Sequence, residues 1–379
     1  MNIIDTGLRL LKKGTGGFLF LISFCLVIFV IPGWFDSTIT TGDKVVITIP
    51  FLLASFLIFL LARFLYKSST QTTLNIPMPM NIPMLGPSGV GKTSLLAAIY
   101  DQFDKITNLQ IKSEDESKKI LDNRLEELKS LVKQETIKAS GGIYPTGVVP
   151  PKFLFDIGLS SSYWKIAFQD YPGEFIQDSK NITKVEIFLK ESTAVLLAID
   201  TPSLMEREGK WHDEINKPDL IRKLFKDAYQ NLDSPRLVIL ALVKCEKYVR
   251  NEKDAKKLLE CVKQKYENLL SLFRQGTLEN KIAVVITPVQ TVGSVIFSRI
   301  DTENGKPIFH FHKSTGDGSY SPKDCDQPLR YLFRFLLKNY PRDPLFTKNS
   351  ELKTSVVNIA TGCKNNTGGF EVVQGAGLL

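Results

Sequence analysis

The chain has 379 residues, 43% hydrophobic and 23% charged, close to globular averages. Its five cysteines are odd in number and lack metal-ligand spacing, which fits a reducing compartment and argues against a disulfide scaffold. A net charge of +8 and a pI of about 9.0 suit either nucleic acid or a membrane-flanking basic segment, and a mean hydropathy of −0.02 points to a strongly apolar stretch.

Two such stretches come first. Residues 17–34 read GFLFLISFCLVIFVIPGW and residues 45–62 read VVITIPFLLASFLIFLLA, both without a charge, the second continuing apolar to Tyr66. Each is near the ~20 residues of a membrane-spanning helix. The first is longer than the ~7–15-residue core of a signal peptide, so residues 1–66 are expected to form a two-helix transmembrane hairpin with spans at 17–34 and 45–66. Arg9, Lys12 and Lys13 precede it and Arg63 and Lys67 flank its end, while the short loop carries Asp36, Asp43 and only Lys44. That bias places both termini and everything downstream on the cytoplasmic side of the inner membrane, with the lipid bilayer as a partner. Two spans alone bury little, so a protein partner or homo-oligomer is expected. A polar, then Pro- and Met-rich linker follows at 67–80.

The main domain is expected over 81–340. It begins with an apolar stretch, then Gly86-Pro87-Ser88-Gly89-Val90-Gly91-Lys92-Thr93, a full phosphate-loop spacing, then Ser94 and a helical pattern at 92–104. The glycines let backbone N–H groups turn onto phosphate oxygens, and the following helix points its positive end at the anion. Lys92 is placed to reach the β- and γ-phosphates and the Thr93 hydroxyl to ligate Mg²⁺. Pro83 is unusual in a first strand.

Residues 113–138 read as an amphipathic helical insert, about 112–138, with a Ser113/Glu116 capping box. Ile120, Leu121, Leu125, Leu128, Leu131 and Val132 share one face, expected to pack on the domain's core. Strands are expected at 152–158, 163–169, 194–200, 236–243 and 282–287, with helices at 217–231, 252–274 and 327–339. The first two strands, joined by LSSS, form a hairpin. The fold class is therefore α/β, a P-loop NTPase with a mostly parallel sheet, one antiparallel hairpin and helices on both faces.

Two aspartates end apolar strands and could serve magnesium. Asp200 is followed by Thr201, where an ATPase usually carries a carboxylate base. Asp170 opens Asp170-Tyr171-Pro172-Gly173, an Asp-x-x-Gly switch. There Asp170 would hold a magnesium-bound water, the Gly173 N–H would donate to the γ-phosphate, and Glu174 would face the attacking water.

With these residues the chain resembles the translation-factor and Ras-like class of P-loop GTPases. Thr146, in GGIYPTGVVP, sits where that class keeps the switch threonine that closes on Mg²⁺. LVKCEKY resembles the guanine-reading motif, with Lys244 along the base and Glu246 accepting from guanine N1 and N2. VVITPVQTVG resembles the last base-side loop, with Thr287 near the guanine carbonyl. Taken together, YPTG, DYPGE, KCEKY and TPVQTVG look most like the bacterial double-GTPase family found in conflict systems, which implies a role in phage defence or stress signalling. The resemblance spans about two-thirds of the chain and implies GTP or GDP and Mg²⁺ as ligands. Val243 departs from its usual Asn or Thr, Glu246 is one methylene longer than the usual Asp, and Glu174 stands where many relatives carry Gln or His.

His310 and His312 alternate on an expected strand, and two ligands alone are a poor zinc signal. Residues 341–379 read as a flexible tail, with 350–379 either a flexible end or a docking segment. The scattered basic residues form no aromatic-rich patch, so no nucleic acid is expected. The first reading is a membrane-anchored GTPase switch. Its rivals are a membrane ATPase using Asp200 and a nucleotide-binding scaffold with little hydrolysis.

Overall fold

The computed structural model describes residues 79–379 apart from 107–108, 135, 140–150, 160–161, 172, 174, 176–177 and 315–318. The expected transmembrane hairpin, Thr146 and Glu174 lie outside the described residues. Among the described residues no helix is long and apolar enough to cross a membrane.

Strand β1 (Met80–Leu85) leads through the phosphate loop into helix α1 (Lys92–Ile106). Then come β2 (Gln110–Ser113), α2 (Asp115–Leu131), β3 (Thr136–Ala139) and the strands β4 (Lys152–Leu159) and β5 (Ser162–Asp170). Helix α3 (Ser179–Glu191) precedes β6 (Ala194–Asp200), followed by three short-to-medium helices, α4 (Thr201–Met205), α5 (His212–Ile215) and α6 (Pro218–Ala228). Strand β7 (Arg236–Val243), helices α7 (Glu252–Lys265) and α8 (Glu267–Phe273), and β8 (Ile282–Pro288) complete the central pattern. The chain ends with β9 (Val295–Glu303), β10 (Lys306–Lys313), α9 (Gln327–Asn339), α10 (Pro344–Lys348), α11 (Ser350–Thr361) and β11 (Glu371–Gln374).

The main sheet runs β11-β8-β7-β6-β1-β5-β4-β2. β1 is flanked by β5 and β6, both parallel to it, and β6, β7 and β8 continue the parallel series. Their sequences are nearly uninterrupted apolar runs, and every position of β6, β7 and β8 is buried. Burial of alternate residues on both sides requires cover on both faces, the usual condition of a parallel sheet. β4 pairs antiparallel with β5 from Lys152↔Gln169 to Leu159↔Ser162, the expected hairpin. Antiparallel pairing extends further than the hairpin: β2 adds to β4 and β11 to β8, capping both edges. A separate antiparallel sheet, β3-β10-β9, contains His310 and His312. The His310 Nε2 lies 2.8 Å from Asp301 Oδ2, and among the described residues no cluster of three His, Cys, Asp or Glu could hold a metal.

Three expectations need correction. The Ser113/Glu116 capping box does not form. Ser113 belongs to β2, opposite Phe155 of β4, and its hydroxyl has no hydrogen-bond partner, so the helix starts two residues later, at Asp115, and ends at Leu131. Its apolar face does pack on the core through Leu121, Leu128 and Val132. The single helix expected at 252–274 breaks at Tyr266 (φ −105°, ψ 14°), a buried residue whose ring meets His212 edge-on.

The third is the tail, which is folded. Asn349 caps α11 by accepting from the Leu352 N–H at 2.9 Å, and Leu352, Val356 and Ile359 at helical spacing are buried. β11 joins the sheet, Lys263 pairs with Glu371 at 3.0 Å, and Phe370 is only 1% exposed. Phe370→Ala is therefore expected to lower the unfolding free energy by about 3–5 kcal/mol, measured by denaturant unfolding. A flexible tail would show no change.

Candidate functional site

The site is built at the carboxyl ends of β1, β5, β6 and β7, where the parallel strands deliver their loops. The first loop, 86–91, needs glycine geometry. Gly86 has φ 139°, and a Cβ there would meet the Ala198 carbonyl oxygen at 2.5 Å. Lys92 begins α1, is buried, and donates from Nζ to the carbonyls of Gly86 and Pro87, both at 3.1 Å. It thus arches over the loop it follows. Ser94 lies in the same first turn of α1, and the Val90 side chain is core, leaving only its main chain available to a ligand.

Asp170 reaches this loop because β1 and β5 are parallel and paired Met84↔Asp170. The Thr93 hydroxyl donates to Asp170 Oδ2 at 2.5 Å, and Lys92 Nζ lies 3.7 Å from Oδ1. Asp170 is 1% exposed, and its Oδ1 accepts no hydrogen bond. Burial pushes its carboxyl above the ordinary range, while Lys92 and Thr93 pull it back. A hydroxyl beside a carboxylate whose second, buried oxygen accepts no hydrogen bond is an all-oxygen donor set, of the kind that suits Mg²⁺.

Asp200 is employed otherwise. Its carboxylate accepts from the Ser203 N–H at 2.9 Å and the Ser203 hydroxyl at 2.5 Å, capping α4, and from Lys244 Nζ at 2.7 Å. Its main chain is bracketed by Asn216, which accepts from the Asp200 N–H at 2.8 Å and donates to its carbonyl at 3.1 Å. The two aspartates are thus separated by their contacts: Asp170 meets the helix that follows the phosphate loop, and Asp200 holds the frame.

Lys244, at φ 58°, also donates to the Gly89 carbonyl at 3.2 Å, bridging the loop after β7 to the phosphate loop. That bridge supplies a brace which the buried Val243 side chain cannot. Lys247 Nζ and the Tyr248 hydroxyl both donate to Glu206, at 2.6 and 2.7 Å. Glu246 is buried and accepts from the Gly293 N–H at 3.5 Å; desolvation pushes its carboxyl up to about 7. Thr287 requires a correction. It lies inside β8 with no exposure and its hydroxyl unpartnered, so the side chain is enclosed by the sheet and is not presented in the loop. The loop after it, with Thr291 and Gly293, comes to Glu246 instead.

Gly173 sits directly on the phosphate loop, where a Cβ would meet the Ser88 nitrogen at 2.4 Å. Any side chain there would push the segment off the loop. Sequence reasoning missed Asn216 and Glu206, whose roles depend on partners 16 and 41 or 42 residues away.

No family model and no curated protein matches the chain. Among solved structures it is similar to the signal recognition particle receptor SRb–GTP/SRX complex from Chaetomium thermophilum, at 16% identity and TM-score 0.36, covering 57% of this chain and 93% of that one. It is also similar to an ADP-ribosylation-factor-like GTP-binding protein, the small COPII coat GTPase SAR1, from Encephalitozoon cuniculi in complex with GDP. There the identity is 14% and the TM-score 0.30, covering 57% and 71% of the two chains. A third is a GTP-binding protein from Sulfolobus solfataricus in complex with GDP, at 13% and 0.28, covering 63% and 56%. These similarities are slight, and the functional reading rests on the residues above.

The raised Glu246 carboxyl has a stability consequence. The folded chain holds this proton to about pH 7, whereas the unfolded chain releases it near 4.5. Its contribution to stability therefore falls as pH rises through that window. Glu246→Gln is expected to remove that part of the slope, so that the variant gains Tm relative to the parent at pH 8 but not at pH 5. Thermal unfolding at the two pH values checks this, and equal differences would contradict it.

Proposed function

We propose that the chain is a membrane-anchored enzyme that binds Mg²⁺ and GTP and hydrolyses the γ-phosphate, working as a switch. The observation that carries this reading is the Thr93–Asp170 contact, made inside a full phosphate loop on which Gly173 also rests. Gly86 to Gly91 would cradle the phosphates with main-chain N–H groups, and Lys92 would leave its carbonyl partners for the β- and γ-phosphates. Thr93 and Asp170 would hold Mg²⁺, Asp170 through a bound water, and the ion would neutralise charge on the phosphates when bound. Gly173 would donate its N–H to the γ-phosphate, Thr146 would close from the other switch, and Glu174 would orient the attacking water.

Guanine selectivity would come from Lys244 along the base and Glu246 accepting two guanine hydrogens. The Lys244 link to Gly89 supports this, since it holds the base-side loop and the phosphate loop in one frame. Engagement of Asp200 by Ser203 and Lys244 weighs against the ATPase reading. The apolar runs at 17–34 and 45–66 support anchoring in the inner membrane with the enzyme domain cytoplasmic, together with a protein partner or self-association. The double-GTPase resemblance supports a role in phage defence or stress signalling.

The test is a nucleotide panel on the full chain in detergent, with GTP, GDP and ATP, each with and without Mg²⁺. GTP is expected to bind about 10²-fold or more tighter than ATP, because a site built to hydrogen-bond one base leaves its groups unpaired with another. GTP should release phosphate only with Mg²⁺, and Lys92→Ala should abolish release. Equal affinity for ATP and GTP would contradict the guanine assignment. Tight GTP binding without turnover would favour the scaffold.

A further inference from the structure

The motifs account for only one side of the space beside the phosphate loop. A cavity of about 260 Å³ opens there, lined on one side by Gly86, Pro87, Ser88 and Gly173. The rest of its lining is Glu214 and Ile215 at the end of α5, Asn216 and Lys217 in the turn that follows, and Leu220 and Ile221 of α6. That turn is fixed. Asn216 is buried, brackets the main chain of Asp200 through both amide atoms, and donates to His212 Nδ1 at 3.1 Å. The His212 imidazole is itself held neutral, its pKa pushed down to about 4 by burial. Because β6 pairs directly with β1 through Leu85↔Leu197, the turn and the phosphate loop belong to one rigid frame.

Lys217 is the cation on this turn. It is half-buried and stands at φ 49°, ψ 52°, a left-handed conformation that glycine or asparagine adopts more cheaply, directly before Pro218. Among the described residues no hydrogen bond or ion pair engages its ammonium. A cationic side chain at a left-handed position, without a hydrogen-bond or ion-pair partner among the described residues, lines the same cavity as the phosphate loop, where an anion would meet its charge and the exposed Glu214 is the one carboxylate beside it.

On the reading above, we propose that Lys217 places its ammonium against the terminal phosphate of the bound nucleotide. As the water oxygen bonds to the γ-phosphorus and the bond from that phosphorus to the β–γ bridging oxygen breaks, GDP leaves and the water's proton passes to the released phosphate; in the transition state negative charge spreads over the γ-phosphoryl and bridging oxygens. Lys92 meets that charge from the loop and Lys217 from the turn. The same chain thereby supplies the second cation that P-loop hydrolases otherwise take from an arginine, in cis or from a partner.

The experiment uses the full chain in detergent. It measures single-turnover phosphate release from GTP, affinity for fluorescent GDP, and affinity for GDP with aluminium fluoride, for the parent, Lys217→Ala, Lys217→Gly and Lys217→Arg. Glycine relaxes the left-handed backbone, so a loss shared by the alanine and glycine variants cannot come from strain at that position. Both are expected to release phosphate on the order of 10²-fold more slowly. GDP affinity should stay within about twofold, and the tightening by aluminium fluoride should be lost. Arginine should restore most of the rate. Release at the parental rate by the alanine and glycine variants would overturn the inference while leaving the nucleotide site intact. A parent chain without guanine-nucleotide affinity would overturn both.

Discussion

The bond from the Thr93 hydroxyl to Asp170 joins two parts of the chain separated by 77 residues, the first turn of α1 and the last residue of β5. It forms because β5 lies parallel to β1 with Asp170 opposite Met84. The side-chain period of a strand is two, so a one-residue slip would turn Asp170 to the other face of the sheet and away from Thr93. The rest of the site depends on that register. It sets Lys92 3.7 Å from the same carboxylate and brings Gly173, three residues on, against Ser88.

A second carboxylate, one strand away on the other side of β1, does a different job. Asp200 collects Ser203 and Lys244 on its side chain and Asn216 on its main chain. It therefore fixes three segments at once: the start of α4, the loop after β7, and the turn that carries Lys217. Buried carboxylates persist where their charge is met by such donors. One carboxylate accepts a full set of protein donors, while the other keeps an oxygen that accepts no hydrogen bond and is met only by the Lys92 ammonium at 3.7 Å. That difference gives Asp200 a framework role and leaves Asp170 the carboxylate available for the proposed ion.

Much of this was legible in the sequence. The phosphate loop is a local motif, and β6, β7 and β8 announce themselves as uninterrupted apolar runs. The β4–β5 hairpin follows from two apolar runs with only a few polar residues between them. What escaped was non-local. Ser113 looks like a helix cap until β4 claims its strand. Thr287 looks like a loop residue until the sheet encloses it. The tail carried Leu352, Val356 and Ile359 at helical spacing behind a capping Asn349, but its polar and glycine-bearing ends masked a signal only one helix long. β11, four residues in length, is a strand only because β8 offers it an edge. Asn216 and Lys217 have no local signature, since their meaning comes from the strand end and the cavity they face.

The division of labour between the two aspartates is most directly tested by Mn²⁺ in place of Mg²⁺, followed by electron paramagnetic resonance on the full chain with GTP. The parent and Asp200→Asn are expected to hold Mn²⁺ tightly in the presence of GTP, and Asp170→Asn is expected to leave it free in solution. Tight Mn²⁺ in Asp170→Asn, with loss in Asp200→Asn, would contradict the assignment.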